Sequence, residues 1–156
     1  MSFEDELEKW IITYLVAHPD NSITAGVVIH DVPRDLVNRI KSDEVVFLFL
    51  MKMEAKGIIQ RGVFYNFKLT SNGLLYFRKF IEPLFTIAKN KDRYSTIIDQ
   101  TEGKSETRKQ FKKLLSSIKN RKPDEAERII IKFLIEEGLD MIWYLVKLIF
   151  TAHGAS

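Results

Sequence analysis

Ser42–Gly73, SDEVVFLFLMKMEAKGIIQRGVFYNFKLTSNG, decides the fold of this 156-residue chain. It reads as a helix, a glycine stop, a tight two-stranded hairpin and the opening of a second helix. Ser42 suits an N-cap, and Asp43 and Glu44 sit well in a first turn whose backbone N–H groups are unpaired. The spacing predicts a helix from Asp43 to Lys56, with Gly57 as a left-handed stop. Ile58-Ile59-Gln60 and Val63–Leu69 then read as strands around Arg61-Gly62. On the second strand Val63, Tyr65 and Phe67 share one face, while Phe64, Asn66 and Lys68 share the other. Thr70 or Ser71 caps the next helix, which carries Leu74, Leu75, Phe77, Phe80 and Ile81.

Upstream, Glu4–His18 is an amphipathic helix with Leu7, Trp10, Ile11, Tyr14 and Leu15 at three- and four-residue spacing, ended by Pro19-Asp20-Asn21. Ser22–Val32 is rich in β-branched residues and reads as a short strand or a connecting segment. Pro33 suits a first helical turn ahead of Leu36, Val37 and Ile40. Downstream, Pro83 either kinks its helix or starts a continuation through Leu84, Phe85, Ile87 and Ala88. The polar stretch 90–103 is ambiguous and allows a short helical turn around Tyr94–Asp99. Ser105–Asn120 puts Phe111, Leu114, Leu115 and Ile118 on one face. Pro123 opens a helix with Ala126, Ile129, Ile130, Phe133 and Leu134, stopped near Gly138. Leu139–Ala152 is apolar almost all round and is expected to be buried in a bundle or a dimer.

Apolar residues make up 46% of the chain, enough for a packed interior. The absence of cysteine excludes disulfides, thiol catalysis and thiolate metal sites, and it fits a reducing compartment. The start, MSFEDELEKW, is acidic and lacks the basic-then-apolar order of a secretion signal. The apolar tail is too short for a membrane span of about 20 residues and holds Asp140 and Lys147. A cytoplasmic protein without a membrane span is expected. The net charge of +3 is unevenly placed: residues 1–83 hold 10 Lys or Arg against 11 Asp or Glu, and residues 84–156 hold 14 against 10.

Three pieces of the opening stretch carry a resemblance: Met53-Glu54-Ala55-Lys56-Gly57-Ile58-Ile59, then Tyr65, then Leu69-Thr70-Ser71-Asn72-Gly73. Together they resemble the winged helix-turn-helix proteins of the prokaryotic transcription-regulator type, over residues 1–82 only. The resemblance implies a winged-helix domain with a small β-hairpin at 1–82; the helical spacing downstream adds a C-terminal helical region at 83–156 that packs on it or dimerises, for a mainly α fold. The resemblance also implies a DNA-associated regulator that reads the major groove with one exposed helix face.

That face falls here on Asp43, Glu44, Phe47, Leu48 and Met51. Base readout needs forked donors such as Arg, Asn or Gln, and two carboxylates at the helix start repel phosphate. DNA contact is therefore expected to run through the backbone of double-stranded DNA, from Arg61, Lys52, Lys56 and Lys68. Arg108, Lys109, Lys112 and Lys113 of the basic helix at 105–120 add to it. Lys104, Lys119, Arg121 and Lys122 extend that basic run within nineteen residues, against Glu106 alone. The alternative is a winged helix used for protein interaction or homo-oligomerisation, with Phe47, Leu48 and Met51 as anchors. Those apolar residues could equally face the domain's own core, and the lysines could be a solvated outer face.

No enzyme is expected, and neither a cofactor nor a metal. Glu102-Gly103-Lys104-Ser105 ends like a phosphate-binding loop, but Ile98 stands where its first glycine belongs. His18, His30 and His153 lack metal-ligand spacing and suit helix-end or surface roles. Glu136, Glu137 and Asp140 flank Gly138 at a helix junction.

Overall fold

The computed structural model describes residues 2–18 and 20–154. It is mainly helical with one small antiparallel sheet, and its contacts divide it into two compact units, Met1–Phe77 and Arg78–Ser156.

The first unit opens with α1 (Phe3–Ala17), capped by Ser2, whose side chain accepts from the Asp5 N–H. His18 closes it, and Pro19, expected to end the helix, lies outside the described residues. Then come β1 (Ser22–Ile23), α2 (Ala25–Asp31), α3 (Arg34–Val37), α4 (Asp43–Ala55), β2 (Ile59–Arg61) and β3 (Phe67–Leu69). The three strands form one antiparallel sheet in the order β1-β3-β2. β2 pairs with β3 at Ile59↔Leu69, Gln60↔Lys68 and Arg61↔Phe67, and β1 pairs with β3 at Ser22↔Lys68 and Ile23↔Phe67. α4 packs on α2, and α1 packs on β3. Val28, Leu36, Val46, Leu50, Met53 and Phe67 are buried.

The helix α4 starts and stops as its sequence predicts. Ser42 accepts from the Val45 N–H. At the far end Gly57 adopts φ +79°, its N–H donates to Glu54, and the Ile58 N–H donates to Met53. These two bonds make a Schellman stop, which satisfies carbonyls the helix leaves open.

Two expectations in this unit need correction. Ser22–Val32 is a strand of two residues and then a helix: Thr24 accepts from the Val27 N–H and so starts α2 despite the β-branched run. Val63–Leu69 is not one strand either. Only Phe67–Leu69 pairs, because Val63–Tyr65 forms a tight turn with Phe64 at φ 57° and Tyr65 at φ 56°. The Asn66 N–H donates to Val63 at 3.2 Å, and the Gly62 N–H donates to Asn66 at 2.6 Å. Positive φ at both central residues defines the primed turn that matches the twist of a hairpin. The reversal is thus centred on Phe64-Tyr65, not on Arg61-Gly62, and Val63, Phe64 and Tyr65 are all exposed.

The division between the units falls within α5 (Ser71–Lys89), which runs unbroken through Pro83. The second unit continues with α6 (Lys91–Gln100), α7 (Ser105–Ile118), α8 (Pro123–Glu137) and α9 (Leu139–Gly154). The whole of α6 exceeds the short turn expected at Tyr94–Asp99; the buried Ile98 and the intermediate Ile97 and Tyr94 give it a narrow inner face. α9 packs against α6, α7 and α8, burying Met141, Ile142, Tyr144, Leu145, Leu148 and Ile149. Tyr144 donates to the Ile98 carbonyl at 2.7 Å, tying α9 to α6. Gly138 stops α8 at φ +84°. No helix among the described residues is long and apolar enough to cross a membrane.

Candidate interaction face

In the first unit, the outward side of α4 and the adjoining hairpin carry the residues singled out for contact. Asp43, Glu44, Val45 and Leu48 are exposed, with Val45 43% and Leu48 59% accessible. Phe47 and Met51 are half-buried. The Phe47 ring meets Tyr65 edge-on at 5.4 Å and Phe67 at 6.2 Å, so Phe47 braces the hairpin. Of the three expected anchors, Leu48 alone is open. Beside it runs a groove of about 220 Å³ between α1 and α4, walled chiefly by Phe3, Leu7, Ile40, Val45, Leu48 and Phe49.

The cations expected on DNA are mostly occupied within the unit. Lys56 donates to Glu8 at 2.8 Å, and Lys9 reaches the same carboxylate at 3.2 Å. Glu8 is only 7% accessible, so these two ammonium groups neutralise a buried charge. The hydrogen bond from Lys56 to Glu8 in turn raises the lysine's pKa above its usual value. Lys52 lies 3.6 Å from Glu4. Arg61 meets Glu54 through both its backbone N–H (2.9 Å) and its guanidinium (3.2 Å), and it lies over the Tyr65 ring. Lys68 is exposed and has no ion-pair partner among the described residues. The unit holds eight Lys or Arg against ten Asp or Glu, so its field is mildly negative.

In the second unit α7 has a buried stripe of Phe111, Leu114, Leu115 and Ile118. Its basic residues divide. Arg108 donates to the carbonyls of Gly103 (2.9 Å) and Thr101 (3.5 Å), bracing the turn after α6. Lys112 binds Asp99 at 2.7 Å, Lys104 binds Asp140 at 3.0 Å, and Arg121 lies 3.6 Å from Glu125. Lys109, Lys113, Lys119 and Lys122 are exposed without an ion-pair partner among the described residues.

The residues set aside as sites have local partners. His18 Nδ1 meets the Tyr14 carbonyl at 2.8 Å, and His30 Nδ1 meets Asp31 at 2.8 Å. The side chain of His153 lies outside the described residues. Among the described residues no group of three or more His, Asp or Glu could hold a metal ion.

Sequence reasoning missed Val45 and Phe64. Val45 looks like one more core residue in an apolar run. Phe64 reads as a strand residue, and it is 93% accessible at the turn. No local signal was present: Val63, Phe64 and Tyr65 are all good strand formers, and nothing in them marks a turn that normally takes Asn or Gly. No protein-family model, curated protein or solved structure matches this chain.

Proposed function

We propose that this chain is a non-enzymatic winged helix-turn-helix protein whose α4 face and hairpin engage protein rather than the bases of DNA. The order helix, strand, helices, hairpin, with the first strand alongside the last, supports the winged-helix assignment. In that frame α4 stands in the recognition position and β2–β3 is the wing. The observation that carries the choice of partner is the chemistry of α4. Val45 and Leu48 are open beside Asp43 and Glu44, while Lys52, Lys56 and Arg61 are held by Glu4, Glu8 and Glu54. Leu and Val cannot read base edges, and desolvating them is the usual source of protein–protein affinity.

DNA association by backbone contact is the second reading. It is favoured by the absence of any Asp or Glu from Ala55 to Phe77, and by the unpaired lysines of α7. Exposed ion pairs are worth about 0–1 kcal/mol, so Lys52 and Arg61 could exchange their carboxylates for phosphates.

Anisotropy titration of a labelled duplex at low salt tests the choice. Weak, steeply salt-dependent binding is expected, unchanged by Leu48→Asp, because only phosphate contact remains. Tight duplex binding that Leu48→Asp abolishes at unchanged fold would show the α4 face on DNA, and the proposal would fall.

A further inference from the structure

We infer that the turn at 62–66 of one copy seats in the α1–α4 groove of a second copy. This rests on the reading of the α4 face as a protein-contact surface and names its partner.

Two surfaces of the first unit are complementary and both are left open. One is convex: Val63, Phe64 and Tyr65 project at the end of the hairpin, and Phe64, 93% accessible, makes no ring contact among the described residues such as Tyr65 makes with Phe47. The other is concave: the α1–α4 groove with Val45 and Leu48 on its exposed wall. An aromatic side chain brings about 150–250 Å² of surface to such a contact.

Charge matches shape. The hairpin has no acidic residue, and Lys68 is exposed without an ion-pair partner among the described residues. The charged residues lining the groove itself, Glu4 and Lys52, face each other at 3.6 Å, and just before its Val45 wall in the chain Asp43 and Glu44 are exposed and without ion-pair partners among the described residues. Opposite charges across a small apolar contact set its orientation and speed encounter. A lipid surface or a duplex is the poorer occupant. Either is polyanionic and rewards several cations, and the hairpin offers only Lys68 and, once its weak pair with Glu54 is exchanged, Arg61.

The conformation of the turn points the same way. Primed turns favour Asn-Gly, which tolerate positive φ, yet Phe64 and Tyr65 occupy those positions here. Strain of this kind persists where a site uses the side chain that causes it. Reciprocal exchange, the turn of each copy entering the groove of the other, closes under a twofold axis and doubles the contact without forming a chain.

Sedimentation velocity of the full chain over a wide concentration range at low salt, with labelled duplex added in a parallel series, tests the inference. Wild type is expected to shift from monomer to dimer. Phe64→Asn and Leu48→Asp should each weaken self-association by about tenfold or more. An equimolar mixture of the two variants should recover a heterodimer, because one intact turn then meets one intact groove. Phe64→Asn suits the turn geometry, so its effect cannot be assigned to unfolding. A wild type that stays monomeric, or variants that dimerise like wild type, overturns the inference alone. Duplex binding that both substitutions abolish overturns it together with the protein-contact reading.

Discussion

Phe64 holds a backbone conformation that its side chain disfavours. Left-handed geometry costs a bulky L-residue about 1–2 kcal/mol, and Phe64 at φ 57° and 93% accessibility receives little packing in return. In the monomer, at concentrations too low for two copies to pair, Phe64→Asn should therefore stabilise the protein by about 1 kcal/mol, seen as a higher urea midpoint at unchanged slope. A midpoint that falls would mean that Phe64 packs in the folded chain after all. The contrast with Lys52, Lys56 and Arg61 shows what is legible at this scale. Their charge is plain in the sequence, but their availability is not. Lys56 is committed to Glu8, forty-eight residues away, because a carboxylate buried on α1 must be neutralised. No local pattern announces such a pairing.

At the scale of elements, the junction between β2 and α5 explains why Leu69-Thr70-Ser71-Asn72-Gly73 follows Lys56-Gly57-Ile58. Thr70 Oγ1 donates to the carbonyls of Gly57 and Ile58 and accepts from the Gly73 N–H, so one hydroxyl caps α5 and braces the glycine stop. A Cβ at Gly73 would run into the Ile58 carbonyl oxygen and the Leu69 side chain. Backbone cannot step aside as a side chain can. Gly73→Ala should then cost about 2–3 kcal/mol and Thr70→Ala about 1–2 kcal/mol, both measurable by chemical denaturation. A neutral Gly73→Ala would refute the close approach. The capped helices α4 and α8 were readable because their signals are local: Ser42 and Gly57 for one, Pro123 and Gly138 for the other. α2 and α6 were less so. A β-branched run hid the first. The polar sequence of the second hid a face that exists only because α9 lies against it.

At the scale of the whole molecule, each unit holds one tyrosine whose ionisation its surroundings oppose. Burial pushes Tyr14 up to about 12, helped by the Asp31 carboxylate that its hydroxyl meets at 3.2 Å. Burial does the same to Tyr144, also to about 12. A raised pKa means that the folded state prefers the neutral phenol. The stability this provides is complete below the ordinary value of 10.0 and is lost as pH rises through about 12. Ultraviolet titration should show Tyr14 and Tyr144 ionising late, together with alkaline unfolding. Tyr144→Phe should remove one late titrant and cost about 1–2 kcal/mol by leaving the Ile98 carbonyl without its donor. Ionisation of Tyr14 and Tyr144 near the ordinary value, with the fold intact, would contradict this. By itself the sequence determined a mainly helical chain, the span of α4, its glycine stop, the apolar faces of the later helices and the carboxylate and apolar chemistry of the α4 face. Each follows from periodicity, capping or side-chain chemistry within a few residues. Tertiary structure alone decided which cations are spent on Glu4, Glu8 and Glu54, where the hairpin reverses, and that Leu48 and Phe64 rather than Phe47 and Met51 stand open. Those outcomes depend on groups brought together from distant parts of the chain, and burial is a property of the packed unit, not of the residue.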